Sequence, residues 1–184
     1  RLAVEALAET VRRQEGADAS LRSAILDGFE LANERILAMG VGAATTLVVA
    51  EIDGHSVRAF HTGDSELLLV GQRGRVKHQS TPHSPVGLAV EAGYLDADEA
   101  LHHEHRHLIS NAVGTADMHI EIGPVLEVAR RDTLLLSTDG LVDNLTATEI
   151  VESVRKGPLA GCARALAWSA RERMAGDEPD VPSK

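Results

Sequence analysis

Leu2, Val4, Leu7, Ala8 and Val11 recur near helical spacing, so residues 2–14 read as an amphipathic helix that ends before Gly16. Asp18-Ala19-Ser20 then leads into a second helix. Its face is marked by Leu21, Ile25 with Leu26, Phe29, Ala32 and Ile36, and Gly40 stops it. The period changes after Gly42. Residues 45–52 are β-branched and apolar, Asp53-Gly54 is a hairpin turn signal, and residues 57–61 alternate as the return strand. Residues 66–70 and 75–78 form a second hairpin around Gln72-Arg73-Gly74, followed by the irregular link Thr81-Pro82-His83-Ser84-Pro85. Residues 86–93 and 96–103 read as helices, and strands are predicted again at 108–112, 118–122 and 125–128. The apolar run 134–138 reads as a buried strand. Helices over 146–155 and from 158 to about 174 close the chain, the second with Pro158 in its first turn.

Helices, then strands joined by tight turns, then helices is the order expected of an α+β fold with antiparallel sheets. A chain of 184 residues suits one domain, residues 1–184. It begins at Arg1 inside a helical pattern and ends after the acidic, Pro-containing stretch 176–184, so both ends read as cuts through a larger domain.

Composition narrows the function classes. Apolar residues make up 43%, and no run approaches the roughly 20 needed to span a bilayer. No signal-peptide pattern opens the chain. The single Cys162 cannot form an internal disulfide and reads as a small core residue. These features predict a cytoplasmic protein with no membrane insertion. A net charge of -10 argues against sequence-independent nucleic-acid binding, and aromatics at 2% leave no base-stacking platform.

The chemistry concentrates at strand ends. The run 134–138 delivers Asp139, then Gly140, then a second carboxylate, Asp143, four residues after the first. Asp139 has two open roles: N-cap of a short helix, or ligand of a hard divalent cation. His61-Thr62-Gly63-Asp64-Ser65 is a second turn of this kind, in which Gly63 supplies the sharp bend. Should both strand ends meet at one sheet edge, Asp64 and Asp139 converge, and a divalent cation removes the conflict between them. The run His102-His103-Glu104-His105-Arg106-His107 lacks a second cluster at zinc spacing and reads as an exposed helix end. His55 and His119 read as surface residues and His83 as a loop hydrogen-bonding residue. No Gly-x-Ser-x-Gly elbow or phosphate-binding Gly loop is present, and Cys162 has no obvious base.

Five segments occur in series: Gly42-Ala43-Ala44-Thr45-Thr46-Leu47, Thr62-Gly63-Asp64-Ser65, Thr81-Pro82-His83-Ser84 with Glu91-Ala92-Gly93, Leu108-Ile109-Ser110-Asn111-Ala112-Val113-Gly114, and Leu136-Ser137-Thr138-Asp139-Gly140-Leu141. In this order the chain resembles the metal-dependent Ser/Thr protein phosphatases, the type 2C protein phosphatases, in their bacterial form. The resemblance implies a sandwich of two antiparallel sheets flanked by helices, with metals held at one end. It implies hydrolysis of phosphoserine and phosphothreonine in proteins by a metal-activated water, with Mn²⁺ or Mg²⁺ as cofactor. By the family pattern Asp139 is a shared metal ligand, Asp64 and Asp143 complete an additional site, and Gly140 belongs to the same metal-binding turn. Partners implied are phosphoprotein substrates and, indirectly, an opposing Ser/Thr kinase.

The departures are specific. The family's Asp-Gly-x-Gly-Gly motif, its phosphate-binding Arg and its closing acidic strand are not in this sequence. Glu66 stands where Arg is usual, and Pro82 where Asp is usual, and both substitutions are expected to touch surface or substrate contacts. The fold is therefore expected to lack its first and last strands, and the segment to have little phosphatase activity by itself. The leading reading is an incomplete view of an active phosphatase. The competing one is a catalytically silent phosphatase-like module that binds a phosphoprotein or partner.

Overall fold

Two helices pack against each other before any sheet forms. The computed structural model describes residues 1–14 and 20–176. Helix α1 (Leu2–Gln14) buries Ala3, Ala6 and Thr10, and α2 (Leu21–Leu37) buries Ala24, Ile25, Gly28, Phe29, Ala32 and Ile36 along one stripe. Ser20 caps α2 by accepting the Ser23 N–H at 3.2 Å. The helices cross closely: a Cβ on Gly28 would lie 2.7 Å from Leu7 Cδ1, and Thr10 Oγ1 donates to the Ala24 carbonyl at 2.8 Å. The predicted stop at Gly16 and the acidic tail from 177 onward lie outside the described residues.

Strands β1 (Leu47–Asp53) and β2 (Ser56–Thr62) form the predicted hairpin. β3 (Glu66–Val70) pairs with β4 (Val76–Gln79), again antiparallel. After α3 (Pro85–Glu91) and α4 (Ala97–Leu101) come two short strands, β5 (Glu121–Ile122) and β6 (Leu126–Glu127), both paired to β2. β7 (Thr133–Ser137) pairs with β3. Helices α5 (Asp139–Val142), α6 (Ala147–Val154) and α7 (Leu159–Gly176) follow. The result is two antiparallel sheets, β1-β2 with β5 and β6, and β4-β3-β7.

Alternation along the strands assigns the layers. Phe60 packs with Phe29, Ile25 and Ile36 against the α1–α2 pair, which turns Val57, Ala59 and His61 to the opposite face of that sheet. Leu68 and Val70 pack with Ile150, Val154 and Leu166 from α6 and α7, so Leu67 and Leu69 face the other way, both fully buried. Cys162 is buried, as its helical setting predicted. Among the described residues no helix is long and apolar enough to cross a membrane.

Two predicted strands need correction. Residues 108–112 form no strand; Asn111 instead bonds side chain to backbone with His119, and only the bridge Thr45–Val113 is sheet-like. Asn satisfies backbone groups locally in this way and so competes with a ladder. The leucine run before Asp139 is also not fully buried: β7 takes the edge of its sheet, and Leu136 remains 44% exposed.

Candidate metal centre

The register of β3 against β7 assembles the acidic site. Glu66 pairs with Ser137 in this antiparallel ladder. Asp64, in the turn between β2 and β3, and Asp139, which opens α5 directly after β7, therefore lie at the same end of this strand pair. Asp143 ends α5 one turn later, where its N–H donates to the Asp139 carbonyl at 2.8 Å. Thr138, not Asp139, occupies the N-cap position, and Asp139 Oδ1 accepts the adjacent Gly140 N–H at 2.7 Å. Asp139 is therefore not the N-cap of α5, and Thr138, at that position, makes no side-chain capping bond.

Gly63 makes the turn that presents Asp64. Its φ of +99° lies in the left-handed region, and a Cβ there would sit 2.3 Å from Thr46 Cγ2. Thr46 Oγ1 and Ser65 Oγ share a hydrogen bond of 2.7 Å across the same turn. The Thr-Thr and Gly-Asp-Ser segments of the sequence thus meet in space.

Asp64, Asp139 and Asp143 line one cavity of about 440 Å³, together with Glu66 and, as the single basic lining residue among the described residues, Arg106. Its floor is apolar, including Leu68, Leu135, Val142, Leu145 and Ile150. Arg106 Nε lies 3.8 Å from Asp143 Oδ2. Burial raises the Asp64 carboxyl above the usual carboxylate range, and the nearby Asp139 charge raises it further. Burial pushes Asp143 up to about 6, with Asp139 adding to the rise and Arg106 opposing it. Clustered carboxylates whose mutual repulsion a cation would relieve suit a hard divalent ion. Gly140 sits beside these residues without lining the cavity, and its carbonyl accepts the Asn144 side-chain amide at 3.2 Å.

Glu66, expected to touch surface or substrate contacts, is not at the surface: it is 6% exposed, on a strand buried at all five positions, and it lines the cavity. Burial raises its pKa to about 7, against the Gln79 amide that donates to it at 2.7 Å; Asp143 and Asp64 add to the rise.

A second cluster lies behind the Gly63 turn. His61 and Glu121 are directly opposite each other on β2 and β5, and His83 stacks on His61 with ring centroids 4.5 Å apart. Single ligand atoms of these three residues fall within 4.8 Å of one another, a spacing able to hold a metal. The histidines at 102, 103, 105 and 107 lie apart from this cluster in the segment that follows α4, and all but His103 are exposed or at a bend of the surface.

Residues 1–167 match the family model for protein phosphatase 2C. The chain belongs to the protein phosphatase 2C family. It is 36% identical over 141 residues to the protein phosphatase PhpP of Streptococcus pneumoniae, covering 72% of this chain and 56% of PhpP. The chain thus spans little more than half the length of the curated relatives it matches. The serine/threonine phosphatase of S. agalactiae superposes with a TM-score of 0.79 at 26% identity, covering 94% of this chain and 75% of that one. The catalytic domain of the serine threonine protein phosphatase PstP, solved in complex with 2 manganese ions, shares the fold at a TM-score of 0.73. It is 22% identical over 93% of this chain and 74% of that one.

Proposed function

We propose that this chain carries part of the metal-binding core of a Ser/Thr phosphoprotein phosphatase using Mn²⁺ or Mg²⁺. The observation that carries the reading is the β3–β7 pairing, which brings Asp64 and Asp139 to the same end of the sheet and into one cavity, with Asp143 one helical turn away. Family membership and the manganese bound by PstP support the choice of ion.

Asp64, Asp139 and Asp143 would hold the ion, and hard oxygen donors match it. When bound, such ions lower the pKa of water and neutralise phosphoryl oxygens during in-line attack. The chain's own residues supply the setting. The carboxylates converge on one mouth, and the apolar floor beneath them keeps the local dielectric low. Arg106, the one cation among the described residues of the cavity wall, is placed to attract a phosphoryl group and to orient it beside the carboxylates. The substrates on this reading are phosphoserine and phosphothreonine in proteins, and the opposing enzyme is a Ser/Thr kinase. Residues 1–184 form one domain on the same reading, and its setting is the cytoplasm.

Calorimetric Mn²⁺ titration of this chain beside Asp139→Asn tests the metal role: weakened binding in the variant is expected, and identical isotherms would overturn it. Phosphopeptide hydrolysis by the full-length polypeptide, lost on removal of divalent ions, tests the activity.

A further inference from the structure

His83 lies in a loop outside both sheets and holds Gly63 from two sides. Its backbone N–H donates to the Gly63 carbonyl at 3.0 Å, and its ring Nδ1 accepts the Gly63 N–H at 3.1 Å. One bond fixes the peptide plane entering Gly63, the other the plane joining Gly63 to Asp64. Together they define the left-handed turn that aims the Asp64 side chain. The loop is itself pinned, because the Ser110 N–H donates to the His83 carbonyl at 2.8 Å.

The surroundings of His83 also select its tautomer. Asn111 Nδ2 points at the same Nδ1 from 2.8 Å. The orientation of that amide is set by His119, whose N–H donates to Asn111 Oδ1 at 3.2 Å and whose carbonyl accepts from Nδ2 at 2.7 Å. Two N–H groups aimed at Nδ1 require a lone pair there, so the ring proton resides on Nε2. Nε2 donates to Glu121 Oε2 at 3.0 Å. Glu121 is held by its pairing with His61, whose own Nε2 meets the Thr81 carbonyl at 3.0 Å. A ring whose Nε2 carries the proton has no lone pair to lend a cation at that atom. Proximity within the His61–His83–Glu121 group is thus better explained by hydrogen bonding than by metal ligation.

We propose that His83 is a positioning residue for the carboxylate centre. Neutral and protonated at Nε2, it clamps Gly63 so that Asp64 reaches the cavity that Asp139 also lines, while Glu121 holds the ring in that state. The inference rests on the phosphatase reading only for the identity of the ion that Asp64 would bind.

The test begins with the wild-type chain labelled with ¹⁵N at histidine. His83 is expected to show an acceptor-type Nδ1 and a protonated Nε2; a proton on Nδ1 overturns the proposal without any substitution. Loss of the Nε2 proton at equimolar Zn²⁺ also overturns it, in favour of metal ligation. His83→Asn places Oδ1 where Nδ1 accepts the Gly63 N–H, and His83→Ala places nothing there. Amide exchange at Gly63 and Asp64 is expected to quicken about tenfold in the Ala variant and to return close to wild type in the Asn variant. Mn²⁺ affinity should follow the same order, with a loss of about tenfold in Ala alone. Equal losses in both variants, or a folded Ala variant with unchanged exchange, would show that His83 does not position the turn. Should His83→Ala not fold, the wild-type tautomer and the exchange in His83→Asn decide the matter. Failure of the wild type to bind Mn²⁺ counts against the phosphatase reading alone, since the exchange measurement needs no metal.

Discussion

Asp64, just before β3, and Asp139, just after β7, lie at the same end of the ladder whose last pair is Glu66 and Ser137, and both line one cavity. Like charges so placed disfavour each other's ionisation. In the metal-free protein, Asp139→Asn should lower the pKa values of both Asp64 and Asp143, the latter from about 6 towards the ordinary carboxylate range. Carboxyl NMR titration reads this directly. An Asp64 that titrates identically in both proteins would show that the two carboxylates do not feel each other.

Glu66→Gln should change how stability depends on pH. Burial pushes the folded carboxyl up to about 7 from its ordinary value of 4.5, so between these values the folded state keeps a proton that the unfolded state has released. Metal-free stability therefore falls as pH rises through that window. The Gln variant should lose this slope and gain roughly 2 kcal/mol relative to wild type at about pH 8. Urea unfolding at about pH 5 and about pH 8 provides the comparison, and parallel pH profiles would rule the effect out.

Gly63→Ala combines two costs. The φ of +99° disfavours any side chain, and the new methyl would meet Thr46 at 2.3 Å. A loss of roughly 2–5 kcal/mol is expected from strain and overpacking together. Adding Thr46→Gly should recover only part of it, because the backbone strain stays. Full recovery in the double variant would assign the whole cost to the clash.

Arg173 ties α7 to α6 by donating to both Glu149 carboxylate oxygens and to the Asn144 carbonyl. The Arg173 bond, then the Thr146 N–H of the capping box, hold Glu149 near 2. A carboxyl lowered in this way stabilises above its unfolded value of 4.5 and loses the effect as pH falls towards 2. Both side chains are about half exposed, so Arg173→Ala should lower stability only slightly at neutral pH. The difference should vanish in acid, and thermal melts across that range check the sign.

The legible parts of the fold were those whose signals are local. The spacing of Ile25, Phe29, Ala32 and Ile36 marks the face of α2 that is buried, and Asp53-Gly54 is the turn between β1 and β2. His83 was read as a loop hydrogen-bonding residue and makes such bonds from its ring and its backbone. What stayed hidden depends on pairing between distant segments. No local pattern sets His61 opposite Glu121, although the strand predicted over 118–122 contains β5. The burial of Glu66 follows from strands and helices covering both faces of β3, which alternation within one strand cannot reveal.

The β3–β7 register also bears on when a cation, held as proposed by these carboxylates, could arrive during folding. Asp64 and Asp139 are distant in the chain and meet only after these two strands have paired, so a pocket for the cation cannot precede that long-range closure. An ion that recognises only the closed ladder acts as a latch and not as a nucleus. Added Mn²⁺ should slow unfolding in proportion to its affinity while leaving the refolding rate nearly unchanged.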